Sequence, residues 1–311
     1  MKQKKLKILA EILGGYSRAN DEFLFQCPYC DHHKRKLSIN IDKNLFKCWR
    51  CDTRGRNIFR VIRKFGNHNH KSTWLGFTAE INYSELEDFL NPKEVEKQTV
   101  EMPKEFISLA NRKAPLTSNT ARSYLSNRGL TKQDIIWWKM GYCSSGDYEG
   151  RVVIPSFDEE GDMNYFVSRS YDRKFYPRYK NPPVGRNIIF NDLFVDWTSN
   201  IVLVEGVFDA VVAGRNAIPL LGSTVAGNSK LLEKIVKKDA AVYIAMDPDA
   251  KKKELEIIKT LLDYDIEVWR VDVGDHEDVG SMTKQQFSEK LENAALINSE
   301  NYLMLTLAMS L

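Results

Sequence analysis

The chain has 311 residues, 43% hydrophobic and 28% charged, the balance of a globular protein with two or three domains. No apolar run reaches the length of a membrane span, and Met1-Lys2-Gln3-Lys4-Lys5 lacks an apolar signal core, so a cytoplasmic protein is expected and a membrane or secreted class excluded. The net charge of +3 is uneven: residues 1–66 hold 16 Lys/Arg against 6 Asp/Glu, a net of +10, leaving −7 for the remainder and pointing to nucleic-acid contact at the basic end.

Residues 1–66 form the first expected domain. Leu6, Ile8, Leu9, Ile12 and Leu13 predict a short amphipathic helix stopped by Gly14-Gly15. Phe23-Leu24-Phe25, Leu37–Ile41 and Leu45-Phe46 predict strands. The second alternates apolar and polar, as a half-buried antiparallel strand does, and Asp42-Lys43-Asn44 is a hairpin turn. Ile58, Ile62 and Phe65 mark one face of a closing helix. Four of the five cysteines form two C-x-x-C knuckles, Cys27-Pro28-Tyr29-Cys30 and Cys48-Trp49-Arg50-Cys51, seventeen residues apart. An odd count in a non-secreted chain argues for metal rather than disulfides. Four thiolates on two turns satisfy one tetrahedral structural Zn²⁺. Cys143 is left over as a small core or surface residue; His32 and His33 are surface residues or substitute ligands. Lys34, Arg35 and Lys36, with the helical series Arg56, Arg60, Arg63 and Lys64, are candidates for phosphate contact. Tyr29, Phe46 and Trp49 are candidates for base stacking. A zinc-ribbon core with a solvated basic face would carry the same residues.

Residues 67–103 read as a linker: polar at Asn67-His68-Asn69-His70, acidic from Glu80 to Glu101, with a short helix around Ser84–Leu90. Residues 104–200 read as a mixed α/β subdomain. Ser118–Leu125 and Thr131–Trp138 are predicted helices, each with a capping hydroxyl near its start. Arg151–Pro155 and Tyr165–Val167 are predicted strands. Between 169 and 186 lie Arg169, Arg173, Lys174, Arg178, Lys180 and Arg186 against one acid, Asp172. Guanidinium forks suit phosphate geometry, although a solvated charged loop has the same composition.

Residues 201–281 alternate strand and helix. The predicted strands are Ile201–Gly206, Ile218–Gly222, Val242–Asp247 and Val268–Val273; the predicted helices lie near Phe208–Arg215, Ser229–Lys238 and Glu254–Leu262. That alternation implies a parallel sheet. The fold class is therefore α/β and multidomain: an N-terminal zinc ribbon, a mixed α/β basic subdomain, a parallel-sheet domain, and a short helical tail over 282–311. Two of the strands end abruptly in carboxylates, at Glu205 and at Asp247-Pro248-Asp249. Ligand sites of open α/β sheets lie at the carboxyl ends of strands. Three carboxylates converging there repel each other unless a hard cation such as Mg²⁺ neutralises them. Gly222–Ser229 nearly matches a phosphate-binding loop, but Asn228 stands where the lysine is required, so ATP hydrolysis is not expected.

Glu205-Gly206 with Asp209, followed by Asp247-Pro248-Asp249, resembles the TOPRIM domain of topoisomerases and bacterial primases. Cys27–Cys30, Lys36–Ile39, Phe46–Cys51 and Gly55 resemble the zinc-binding domain of DnaG-type and bacteriophage primases, with Cys30 where many members carry His. Arg151–Pro155, Gly161, Phe166, Arg169 and Arg178-Tyr179-Lys180-Asn181-Pro182 resemble the primase core between those domains. The three occur in primase order. The resemblance implies a DNA primase that makes short RNA primers on single-stranded DNA from nucleoside triphosphates, by metal-dependent nucleotidyl transfer during DNA replication. It implies that Glu205, Asp247 and Asp249 hold catalytic Mg²⁺ or Mn²⁺. Asp209, Asp275 and Asp278 are further acids, Asp209 as a support. Where the family carries Lys-Asp-Pro, this chain has Asp275-His276-Glu277-Asp278. Arg151, Arg169, Arg178, Tyr179, Lys180 and Asn181 would bind template backbone or nucleotide. The resemblance also implies a replicative helicase as partner in trans and, from the chain's small size, a bacteriophage source. The alternative is a non-polymerising TOPRIM protein, a nuclease or a recombination-type DNA-binding protein.

Overall fold

The computed structural model describes residues 1–77, 100–223, 225 and 229–308. It separates into two units: residues 1–97 with 236–239 and 260–266, and residues 98–235 with 240–259 and 267–311.

The first unit begins with α1 (Lys2–Leu13), which buries Ile8 and Leu9 and ends at Gly14, whose φ of 83° suits a residue without Cβ. Five short strands follow, β1 (Tyr16–Ala19), β2 (Glu22–Phe25), β3 (Leu37–Asn40), β4 (Leu45–Cys48) and β5 (Arg54–Gly55), in an antiparallel meander of that order. The expected turn joins β3 to β4. The Asn40 side chain accepts from the Lys43 backbone N–H at 2.9 Å, and Asn44 takes a left-handed φ of 53°. β1 was not expected: Tyr16-Ser17-Arg18-Ala19 carries no apolar alternation, and pairing with β2 creates it. Two helices close the unit, α2 (Phe59–Phe65) and α3 (His68–Leu75). The start of the expected linker is thus a helix. Asn67 caps it by accepting from the His70 N–H at 2.9 Å, so the polar run is an N-terminal signal rather than a spacer. Leu9, Phe25, Leu37, Ile39, Ile58, Val61 and Ile62 are fully buried and form the centre of the core. The helix expected around Ser84–Leu90 lies outside the described residues.

The second unit holds two sheets. β6 (Phe106–Ser108), β7 (Gly141–Cys143), β8 (Arg151–Phe157) and β9 (Met163–Ser170) form an antiparallel sheet in that order. Between β6 and β7 run α4 (Ser118–Asn127) and α5 (Lys132–Trp137). Thr131 caps α5 in a reciprocal box with Asp134, as expected; α4 starts with no side-chain cap. The second sheet contains β10 (Ile201–Val204), β11 (Ala217–Pro219), β12 (Val242–Ile244), β13 (Val268–Arg270) and β14 (Ala295–Ile297), in the order β11-β10-β12-β13-β14. The first four are parallel, as the alternation with α6 (Val207–Ala213), α7 (Lys230–Lys238) and α8 (Lys251–Asp263) required. β14 adds an antiparallel edge. The tail is therefore not wholly helical: α9 (Lys284–Glu292) and α10 (Ser299–Ala308) flank that strand.

The order matters for function. From β10 the chain moves to one side to make β11, then crosses to the other side to make β12. The carboxyl ends of β10 and β12 thus flank a topological switch point, where open sheets leave a crevice. Cys143 is a core residue, fully buried in β7. No helix among the described residues is long and apolar enough to cross a membrane.

Candidate active site

In the first unit the two knuckles bring Cys27, Cys30, Cys48 and Cys51 together, with every Sγ within 4.8 Å of the others. Cys27 to Cys51 and Cys30 to Cys48 are each 3.9 Å. A tetrahedron with Zn–S bonds of about 2.3 Å has edges of about 3.8 Å, so the cage fits a zinc ion without rearrangement. Each knuckle turns on an aspartate in the left-handed region, Asp31 (φ 47°) and Asp52 (φ 57°). The Cys48 thiol is held down to about 5, chiefly by a hydrogen bond from Cys27 and despite burial, while Cys27 is pushed up in return. His32 and His33 stand apart, stacked on each other at 4.4 Å.

In the second unit Glu205 follows β10, and Asp247 and Asp249 follow β12. Each offers an oxygen within 4.8 Å of the others. Glu205 Oε1 and Asp247 Oδ1 are buried without a hydrogen-bond partner. Two buried anionic oxygens with no donor are costly unless a cation completes them. Burial pushes Asp247 up to about 7, reinforced by the charges of Asp209, Glu205, Asp278 and Asp249. The nearest cation on Glu205 is Lys253 of α8, at 3.9 Å. The donor set, three carboxylates and no thiol or imidazole, is that of a hard cation.

Asp209 plays a different part. Its carboxylate accepts from the Gly206 N–H at 2.8 Å and from the Gly280 N–H at 2.9 Å. It thereby caps α6 and fastens the single turn 279–281, which carries Asp278 into the site. A Cβ on Gly206 or Gly280 would stand 2.8 or 2.7 Å from an Asp209 oxygen, so both glycines permit this approach. Asp209 is buried, which raises it to about 6 against the pull of those two amides. Asp275 is exposed and does not line the cleft, whereas Glu277 and Asp278 do.

Glu205, Asp209, Asp247, Glu277 and Asp278 line a cavity of about 1070 Å³, while Asp249 is exposed outside that lining. Arg128, Arg169, Arg178, Arg186 and Lys284 line the same cavity. Arg169, on β9, donates to the Tyr179 hydroxyl at 2.6 Å and lies 4.9 Å from the centre of the Phe208 ring. Arg128, just past α4, lies 4.8 Å from the same ring. The Nε atoms of both arginines are buried without a partner. Asn181 also lines the cavity and accepts from the Ser168 N–H at 3.1 Å, fixing the 178–181 segment to β9. Arg128 was not singled out by charge or motif; its run, Ser126-Asn127-Arg128-Gly129, reads as an ordinary helix end.

Several expected contacts are placed elsewhere. Arg151 is buried and donates to the backbone carbonyls of Glu149 and Pro177, both at 2.9 Å, so it shapes the basic segment rather than facing the cavity. Lys180 turns to the Asp147 carbonyl at 2.6 Å. Lys36 is wholly buried, paired with Asp239 at 3.1 Å and donating to the Tyr264 carbonyl; it is not presented to phosphate. Lys34 is half-buried against the same Asp239. Phe46 and Trp49 are buried, Trp49 edge-on to Tyr264, and Tyr29 is half-buried edge-on to Phe65. Arg35, Arg56, Arg60, Arg63 and Lys64 remain exposed. Count and sign of charge do not reveal burial, which is why these assignments diverge.

No family model matches the chain. Among curated proteins it is similar to the DNA primase of Clostridium acetobutylicum, 24% identical over 87% of this chain and 54% of that protein. It is also similar to that of Listeria innocua, 21% identical over 76% of this chain and 47% of that protein. The chain spans about half the length of the curated relatives it matches. Among solved structures, the zinc-binding and RNA polymerase domains of Aquifex aeolicus primase match 94% of this chain and 83% of that one, with a TM-score of 0.51 and 19% identity. The fold is that of the DnaG-type primases. A DnaG primase catalytic domain bound to single-stranded DNA matches over 63% of this chain and 78% of that one, with a TM-score of 0.53 and 18% identity.

Proposed function

We propose that this chain is a DNA primase, making short RNA primers on single-stranded DNA from nucleoside triphosphates. The observation that carries the reading is a single cleft lined both by the acids Glu205, Asp247 and Asp278 and by the cations Arg128, Arg169 and Arg178. Joining two nucleotides needs a cation at the reacting phosphate and further cations along the remaining phosphates; the carboxylates of this cleft suit the first and its arginines the second. Glu205, Asp247 and Asp249 would hold Mg²⁺ or Mn²⁺. Such a cation supplies charge neutralisation and alignment for in-line displacement at phosphorus. Arg128, Arg169, Arg178 and Arg186 would orient triphosphate or template backbone, with Asn181 and Tyr179 fixing that segment. Asp209 positions Asp278 and α6 and does not itself bind. Cys27, Cys30, Cys48 and Cys51 would hold one structural Zn²⁺. The exposed Arg35, Arg56 and Arg60 of the first unit would add template affinity. A replicative helicase acting in trans is part of the same proposal.

The reading is tested by incubating the whole protein with Mg²⁺, unprimed single-stranded DNA and labelled ribonucleoside triphosphates. Template-dependent, alkali-labile oligomers are expected, and Glu205→Gln should abolish them. Cleavage of the DNA with no oligomers formed would point instead to a nuclease.

A further inference from the structure

A second surface of the core unit, away from the acids, has the chemistry of a single-strand track. Trp137 of α5 and Phe194 lie 5.8 Å apart, half-buried and tilted, with Phe157 edge-on to Phe194 at 6.3 Å. Each of the first two rings carries a cation: Arg215 lies 4.3 Å from the Trp137 centroid, and Lys139 Nζ lies 3.7 Å from the Phe194 centroid. Neither cation pairs with a carboxylate among the described residues. Lys234 provides the contrast: it lies over Trp197, but Asp192 and Glu159 neutralise its charge. Ile136 and Leu193 flank the rings, 61% and 42% exposed. An unneutralised cation over an aromatic face offers a phosphate contact and, once the cation swings aside, a platform for a base.

The backbone supplies a second, independent observation. α5 ends in a tight cap, with Met140 N–H donating to the Ile135 carbonyl at 2.9 Å and Lys139 N–H to Ile136 at 3.2 Å. The residue at the turn is Lys139, held at φ 49°, a position where glycine is the unstrained choice. A lysine at that position places its ammonium over Phe194, 3.7 Å from the ring centre, on the exposed side of the turn.

We propose that Trp137, Lys139, Phe194 and Arg215 form a binding surface for single-stranded nucleic acid, separate from the catalytic cleft, with bases stacking on the rings and phosphates meeting the two cations. The proposal rests on the reading of the chain as a single-strand-templated enzyme, yet its test reads binding rather than synthesis. Affinity of the whole protein for labelled oligothymidylate of about 16 nucleotides is measured by fluorescence anisotropy across a salt series, alongside the melting temperature. Lys139→Gly removes the cation while relieving the backbone, so it should melt no lower than the parent, bind several-fold more weakly, and lose about one unit of salt slope. Arg215→Ala should lose a similar increment. Trp137→Leu should weaken binding about tenfold, the scale of one stacked base. Wild-type affinity and slope in both Lys139→Gly and Arg215→Ala would overturn the proposal, including the case in which the surface serves a protein partner. Failure of the parent itself to bind the oligonucleotide would instead overturn the templated reading as a whole.

Discussion

Asp247 sits where burial and four neighbouring acids all disfavour its charge, and its raised value of about 7 makes a thermodynamic prediction. The carboxyl binds its proton more tightly folded than unfolded. Its contribution to stability is therefore complete below the unfolded value, near 3.8, and is lost as pH rises through about 7. At pH 8 and without divalent metal, Asp247→Asn should then be more stable than the parent, by about 1–2 kcal/mol once solvent screening of a half-exposed group is allowed for. Added Mg²⁺ should raise the melting temperature of the parent and not of the variant. A variant that melts lower than the parent in chelator at pH 8 would show that the carboxylates do not repel one another. At this scale the sequence was informative where residues sit at strand ends. Glu205, Asp247 and Asp249 announce themselves because an apolar β run stops on each group. Lys36 and Arg151 did not, because a charge that is buried on a carboxylate or on carbonyls looks the same in sequence as one facing solvent. Arg128 was silent because the ring it packs on, Phe208, is 80 positions away and only folding makes them adjacent.

Among the elements, the turn 279–281 depends most on a single side chain. Asp209 satisfies two backbone amides that are otherwise without partners, Gly206 and Gly280. Asp209→Ala should cost about 2–4 kcal/mol in chemical denaturation, the scale of leaving two donors unsatisfied, and should weaken Mg²⁺ binding by loosening Gly206 beside Glu205. Asp249→Ala, at an exposed position, should leave stability within about 0.5 kcal/mol while activity falls. Equal destabilisation by the two would contradict the separation between a positioning acid and a metal-holding acid. The long, periodic elements were legible for a related reason. The repeat of strands and helices from Ile201 onward admits one architecture, a parallel sheet, and the capping box at Thr131 fixes where α5 begins. β1 and β14 were not legible, since each is an edge strand that buries one residue, Ala19 and Ile297, and so carries little apolar pattern of its own.

At the scale of the molecule, charge and metal divide the work. The expected first domain, residues 1–66, carries the excess of +10, and its four-cysteine cage fits one zinc ion. Metal analysis of protein purified without chelator should give one zinc per chain, and Cys48→Ser should lose it together with the order of that unit. Absence of zinc would contradict the fit. Arg56→Ala with Arg60→Ala, both exposed, should reduce the salt slope of single-strand binding by about two and leave extension of a pre-annealed primer intact. The central claim concerns the cleft. Its most direct test is template-dependent ribonucleotide incorporation by Asp247→Asn and the parent, with melting temperature and single-strand affinity measured on the same preparations. The account predicts no primers from the variant, single-strand affinity within about twofold of the parent, and, in chelator at pH 8, a melting temperature no lower. Primer yield equal to the parent's would contradict it.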